Sequence, residues 1–147
     1  MRKLAKPNEG DWQKLKGVGR YLTSSPRLVI KFPWQPLTDT LKMYTDADHA
    51  GCLRTRKSTS GGVIVWGQAV LKAWSRTQTL IALSSEESEL AAVTKAAPEG
   101  LGLQSVLSDF GVRVKFEVHS DATAAIGICK RQGLGRVRHL ATADFWI

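Results

Sequence analysis

Asp46, Glu89 and Asp121 are the side chains in this sequence with the most capacity for chemistry. Asp46 closes an alternating run that reads as a strand. Glu89 falls in the first full turns of a predicted helix, and Asp121 closes a second alternating run just before another helix. Open α/β sheets place their sites at such strand ends. Three carboxylates brought together repel one another unless a hard cation bridges them, and all-oxygen ligation suits Mg²⁺ or Mn²⁺. Each acid also has a plainer reading: Asp46 and Asp121 as turn or N-cap residues, Glu89 as one more solvated helix acid.

A second group is basic and hydroxylic. Ser58, Thr59 and Ser60, followed by Gly61, can offer hydroxyl and backbone N–H donors to phosphates, with Arg54, Arg56 and Lys57 adding charge. The alternative is a polar turn between strands. Arg138 and His139, near Arg136, form a further basic element that can approach a polyanion, although a lone histidine is more often structural. Asp48, two residues after Asp46, reads as a support for the turn. Gly17-Val18-Gly19 lacks the third glycine and the preceding strand of a dinucleotide motif.

The elements that must position these residues follow from periodicity. Trp12, Leu15, Val18 and Leu22 recur at helical spacing behind the N-cap candidate Asn8, and Ser24-Ser25-Pro26 ends that helix. Pro33-Trp34-Gln35-Pro36 reads as a linker, which divides the chain into a lead-in of residues 1–36 and a domain of residues 37–147. The period then becomes two. Leu41, Met43 and Thr45 form a strand running into Asp46, and residues 63–66 and 70–74 flank Gly67-Gln68 as a hairpin. Ser84, with Glu87 three residues on, fits a capping box. Pro98-Glu99-Gly100 predicts an interruption of the helix that follows, with a second half over residues 101–107. Val114, Phe116, Val118 and Ser120 form the strand that delivers Asp121, and a helix runs on through Cys129. The order β-β-β-α-β-α predicts a mixed α/β sheet.

Composition narrows the class. The chain has 147 residues, 43% of them apolar, enough for one core, and its formal net charge is +8. No apolar run approaches the eighteen or so residues of a membrane span, so no membrane partner is expected. The basic N-terminus has no apolar stretch behind it, so no secretory signal is expected. Cys52 and Cys129 form no CxxC pair, which argues against a disulfide framework and a cysteine-based zinc site. Residues 1–36 hold eight basic and two acidic residues, whereas residues 37–147 hold 13 and 11, so six of the eight net charges belong to the lead-in. A polyanionic partner fits that excess.

The residue strings then carry a resemblance. Tyr44 through Cys52 (YTDADHAGC), Arg56 through Gly62 (RKSTSGG) and Ser84 through Ala91 (SSEESELA) resemble the ribonuclease H domain of copia-type retrotransposon polyproteins. His119-Ser120-Asp121-Ala122-Thr123-Ala124-Ala125 is similar to that family's third acidic block, and Arg138-His139-Leu140 to its later basic-His element. Asp11 through Leu22 resembles the connection segment between reverse transcriptase and ribonuclease H.

The resemblance implies a ribonuclease H-like mixed sheet flanked by helices, here truncated before its last strand and helix. It implies hydrolysis of the RNA strand of RNA–DNA hybrids, with Asp46, Glu89 and Asp121 as the catalytic acids holding two Mg²⁺ (or Mn²⁺) ions about 4 Å apart. It also implies the reverse transcriptase portion of the same polyprotein as a partner, and an intracellular setting in a cytoplasmic particle or the nucleus. The chain departs from the family in several places. No equivalent of the fourth acid is expected within these residues, Asp144 coming too soon after His139. Ala141 replaces an acid, His49 stands where tryptophan is common, and Pro98 enters a helix that is usually continuous. A catalytically inactive nucleic-acid-binding remnant is therefore the alternative to an active nuclease. An integrase-like nuclease is a third reading, disfavoured because the middle acid lies on a helix between strands three and four.

Overall fold

The computed structural model describes residues 7–27 and 29–130. The chain divides into two units, Met1–Lys31 and Phe32–Ile147. Within the first, helix α1 spans Glu9–Ser24. Its capping box is formed by Asn8 Oδ1 accepting the Asp11 N–H at 3.0 Å and Asp11 Oδ2 accepting the Asn8 N–H at 3.1 Å. No α1 residue is buried, and Trp12, Leu15, Val18 and Leu22 form an exposed apolar stripe.

The second unit is built on four strands in the order β3-β2-β1-β4. Strand β1 (Thr40–Ala47) pairs antiparallel with β2 (Thr59–Trp66), which pairs antiparallel with β3 (Ala69–Thr77). On its other side β1 runs parallel to β4 (Lys115–His119). The β2–β3 turn is the predicted Gly67-Gln68, and Gly67 adopts φ +58, a conformation that favours glycine. Residues 35–38 cross this hairpin. Gln35 Nε2 donates to the Trp66 carbonyl at 2.8 Å, and Trp66 Nε1 donates to the Thr38 carbonyl at 2.9 Å. The segment that reads as a linker is thereby tied to the sheet.

Alternation along β1 sorts its side chains: Leu41, Met43, Thr45 and Ala47 are buried, while Lys42, Tyr44 and Asp46 are exposed. Leu41, Met43 and Ile64 are fully buried and join Ala96 and Val114 in the core, with Trp66, Trp74 and Phe116 packed against it. Helix α2 covers this face and spans Ser85–Asp109. It passes through Pro98 as one helix, which corrects the predicted interruption. Proline removes one backbone donor, a local defect, whereas Glu89, Ala92, Val93, Ala96 and Gly100 are buried at helical spacing on both sides of it. Packing along the whole face outweighs that loss. Helix α3 (Thr123–Cys129) follows β4 and packs on α2.

The element order is the one expected, and the strands form the expected mixed sheet flanked by helices. The expected truncation, Arg138, His139 and Asp144 lie outside the described residues.

Candidate metal centre

Three different elements deliver the three acids to one place. Asp46 is the next-to-last residue of β1, where it pairs with Gly61 of β2. Glu89 enters from the first turns of α2. The start of that helix is set by Ser84, whose Oγ accepts the Glu87 N–H at 3.2 Å, while Glu87 Oε2 accepts the Leu83 N–H at 2.7 Å. Asp121 follows the end of β4, in a turn where Ser120 Oγ accepts the Ala122 N–H at 3.2 Å.

One carboxylate oxygen from each of the three lies within 4.8 Å of the others. Asp46 and Asp121 are exposed, while Glu89 is 7% exposed. Glu89 Oε1 accepts the Ala47 N–H at 3.2 Å, but among the described residues Glu89 Oε2 is buried without a hydrogen-bond partner, as is Thr45 Oγ1. A buried orphan oxygen on an acid is costly, so its presence calls for a ligand. Burial raises the Glu89 pKa, opposed by the Ala47 N–H and reinforced by the charges of Asp46 and Asp121. Such a donor set of hard oxygens fits Mg²⁺ or Mn²⁺.

The basic and hydroxylic run divides. Arg54 and Arg56 are exposed, Arg56 at φ +54, whereas the Lys57 ammonium donates to the Thr79 carbonyl. Ser58 is fully buried and its Oγ accepts the Ala50 N–H at 3.0 Å. The Thr59 N–H donates to Asp48 Oδ1, which places Asp48 in the turn. Ser60 is buried and its Oγ accepts from Gln78 Nε2 at 2.9 Å. The Ser58 and Ser60 hydroxyls are thus used inside the fold rather than presented to a polyanion. Two residues given no role by sequence reasoning stand beside the acids. Tyr44 and His119 stack with ring centroids 5.0 Å apart. The signal available for them is their position, each two residues before an acid at a strand end.

No family model matches the chain. The retrovirus-related Pol polyprotein from transposon TNT 1-94 of Nicotiana tabacum is 30% identical over 146 residues, 98% of this chain and 11% of that protein. The equivalent polyprotein from transposon RE2 of Arabidopsis thaliana is 29% identical over 138 residues, 92% of this chain and 9% of that protein. Secreted RxLR effector protein 161 of Plasmopara viticola is 38% identical over 92 residues, 63% of this chain and 64% of that protein. Among solved structures, LC11-RNase H1 from compost matches with a TM-score of 0.48 at 18% identity, covering 63% of this chain and 61% of that one. The chain spans about a tenth of the length of the polyproteins it matches.

Proposed function

This chain is homologous over most of its length to retrovirus-related Pol polyproteins of plant transposons, and from that premise we propose that it is the ribonuclease H of a copia-type element. In this reading it hydrolyses the RNA strand of RNA–DNA hybrids during reverse transcription. The observation that carries the proposal is the convergence of Asp46, Glu89 and Asp121, with Glu89 Oε2 left without a partner.

Asp46, Glu89 and Asp121 are the residues that would hold the metal. Bound Mg²⁺ or Mn²⁺ supplies Lewis acidity, which favours ionisation of an attacking water and balances charge on the leaving 3′ oxygen. The chain's own residues do the rest. Asp46 would be the central carboxylate of the set, with Glu89 and Asp121 completing it. The Ala47 N–H fixes one Glu89 oxygen and so limits how the carboxylate can turn. Arg54 and Arg56, both exposed, are assigned to the backbone phosphates of the hybrid. The lead-in, with its excess of positive charge, is the part assigned to the hybrid backbone or to the reverse transcriptase portion of the same polyprotein. A cytoplasmic particle or the nucleus is the setting that this activity implies. Among the described residues no helix is long and apolar enough to cross a membrane.

The test is cleavage of an end-labelled RNA–DNA hybrid with and without Mg²⁺. Mg²⁺-dependent cleavage leaving 5′ phosphates is expected, and Asp121→Asn should abolish it. Near-normal cleavage by that variant would sink the assignment. Hybrid binding without cleavage by the unaltered chain would point instead to an inactive nucleic-acid-binding remnant.

A further inference from the structure

We propose that the stacked pair Tyr44–His119 is a positioning device for the metal centre, holding the end of β4 against β1 so that Asp121 stays within bridging distance of Asp46. The inference rests on the metal-centre reading above. Its basis is the register of the parallel ladder. Five residue pairs join β1 to β4, and Tyr44↔His119 is the last of them, immediately before the acids. The two rings lie 25° from parallel at a centroid separation of 5.0 Å. That is a favourable offset arrangement across neighbouring strands. Glu117 Oε2 lies 3.4 Å from His119 Nε2 and braces the imidazole from its own strand.

The need for such a device follows from how unevenly the two acids are held. Asp46 is held by the β1–β2 ladder, since pairing continues through Asp46↔Gly61 to Ala47↔Ser60. Among the described residues Asp121 has no such ladder support, because β4 ends at His119 and no β1–β4 pair follows. Before metal binds, repulsion between the carboxylates pushes these strand ends apart. Sheet pairing therefore holds the β4 end less firmly than the β1 end. Asp46 is two residues beyond Tyr44 on the same exposed face of β1, so the stack lies one pleat below the acid. It is placed to oppose that opening. Tyr44 and His119 do not touch the metal in this scheme; they act through the position of Asp121.

The experiment measures Mn²⁺ affinity of the intact chain by the free-ion EPR signal, in MnCl₂ alone, with thermal melting followed in parallel. Tyr44→Ala and His119→Ala should each weaken Mn²⁺ binding about three- to tenfold, the range expected from removing one aromatic pair. Tyr44→Phe and His119→Phe, which keep a stacked ring, should stay within about twofold of the parent. The double alanine variant should be little worse than either single one, because both remove the same interaction. Full Mn²⁺ affinity in Tyr44→Ala, or equal damage from Tyr44→Phe, would overturn the proposal. Should the alanine variants melt below the assay temperature, affinity in the two phenylalanine variants decides. Asp121→Asn separates the two levels. If the parent binds Mn²⁺ no better than Asp121→Asn does, the metal-centre reading fails and takes this one with it. If Asp121→Asn alone loses binding, only the positioning role fails.

Discussion

Glu89 carries the electrostatic conflict of the site. It is the buried acid of the three, one oxygen is held by the Ala47 N–H, and the other has no partner. Its pKa is raised chiefly by burial, with Asp46 and Asp121 adding to the shift. A carboxyl whose pKa is raised on folding binds its proton more tightly in the native state. Its stabilising effect is therefore complete below the ordinary Glu range and is lost as pH rises through the raised value. Above that raised value and without metal, ionised Glu89 thus opposes folding. Glu89→Gln should raise the metal-free melting temperature at pH 7 by roughly 2–4 °C for each kcal/mol of relief, while removing Mg²⁺-dependent cleavage. The gain should shrink as pH falls below the ordinary Glu range. A melting difference that does not vary with pH would show that charge is not its cause. Glu99 illustrates the opposite case. Its pKa is lowered by Lys72 first, with Arg76 adding to the effect at 3.2 Å, so any stability it contributes is lost as pH falls through that lowered value.

At the scale of elements, α2 is the lever that sets the site. It must lie close enough to β1 and β4 for Glu89 to reach the two strand-end acids. Gly100 permits the approach on the β4 side, because a Cβ there would run into the Phe116 ring. Phe116 itself packs against the core. Gly100→Ala should cost up to about 2 kcal/mol, the overpacking penalty less the gain in helix propensity. The loss should appear as a lower melting temperature together with weaker Mg²⁺ dependence of cleavage, since β4 leads into Asp121. Unchanged melting would mean that the Phe116 ring swings aside freely. The Ser84 cap was legible as a residue type three positions before Glu87. The continuity of α2 through Pro98 was not, because a proline is read locally while the burial that outweighs it is spread over several turns.

At the scale of the whole molecule, charge is divided between the parts. Residues 1–36 hold six of the eight net positive charges, and residues 37–147 are nearly balanced because they hold most of the acids. Helix α1 displays Lys14, Lys16 and Arg20 in the open, with Lys16 Nζ 5.6 Å from the Trp12 ring centroid. If this segment tracks a nucleic-acid backbone, replacing all three by glutamine should weaken hybrid binding. The slope of log affinity against log salt should then fall by about 0.9 for each phosphate no longer neutralised. The cleavage rate at saturating hybrid should not change. An unchanged salt slope would assign α1 to a protein surface instead.

Much of this protein can be read in one dimension. Period-two and period-3.6 patterns marked β1, β4, α1 and α2, because alternation and helical repeat are imposed on each segment by the need to bury one face. The β2–β3 hairpin was legible from Gly67-Gln68, and the three acids from their places at element ends. The resemblance of the strings around them named the fold. What the chain order could not show is everything that depends on one element meeting another. The closeness of Asp46, Glu89 and Asp121, the withdrawal of the Ser58 and Ser60 hydroxyls into the fold and the pairing of Tyr44 with His119 join residues far apart in the chain. Those juxtapositions exist only once β1 pairs with β2 and β4 and α2 packs across them, so tertiary structure alone decides them.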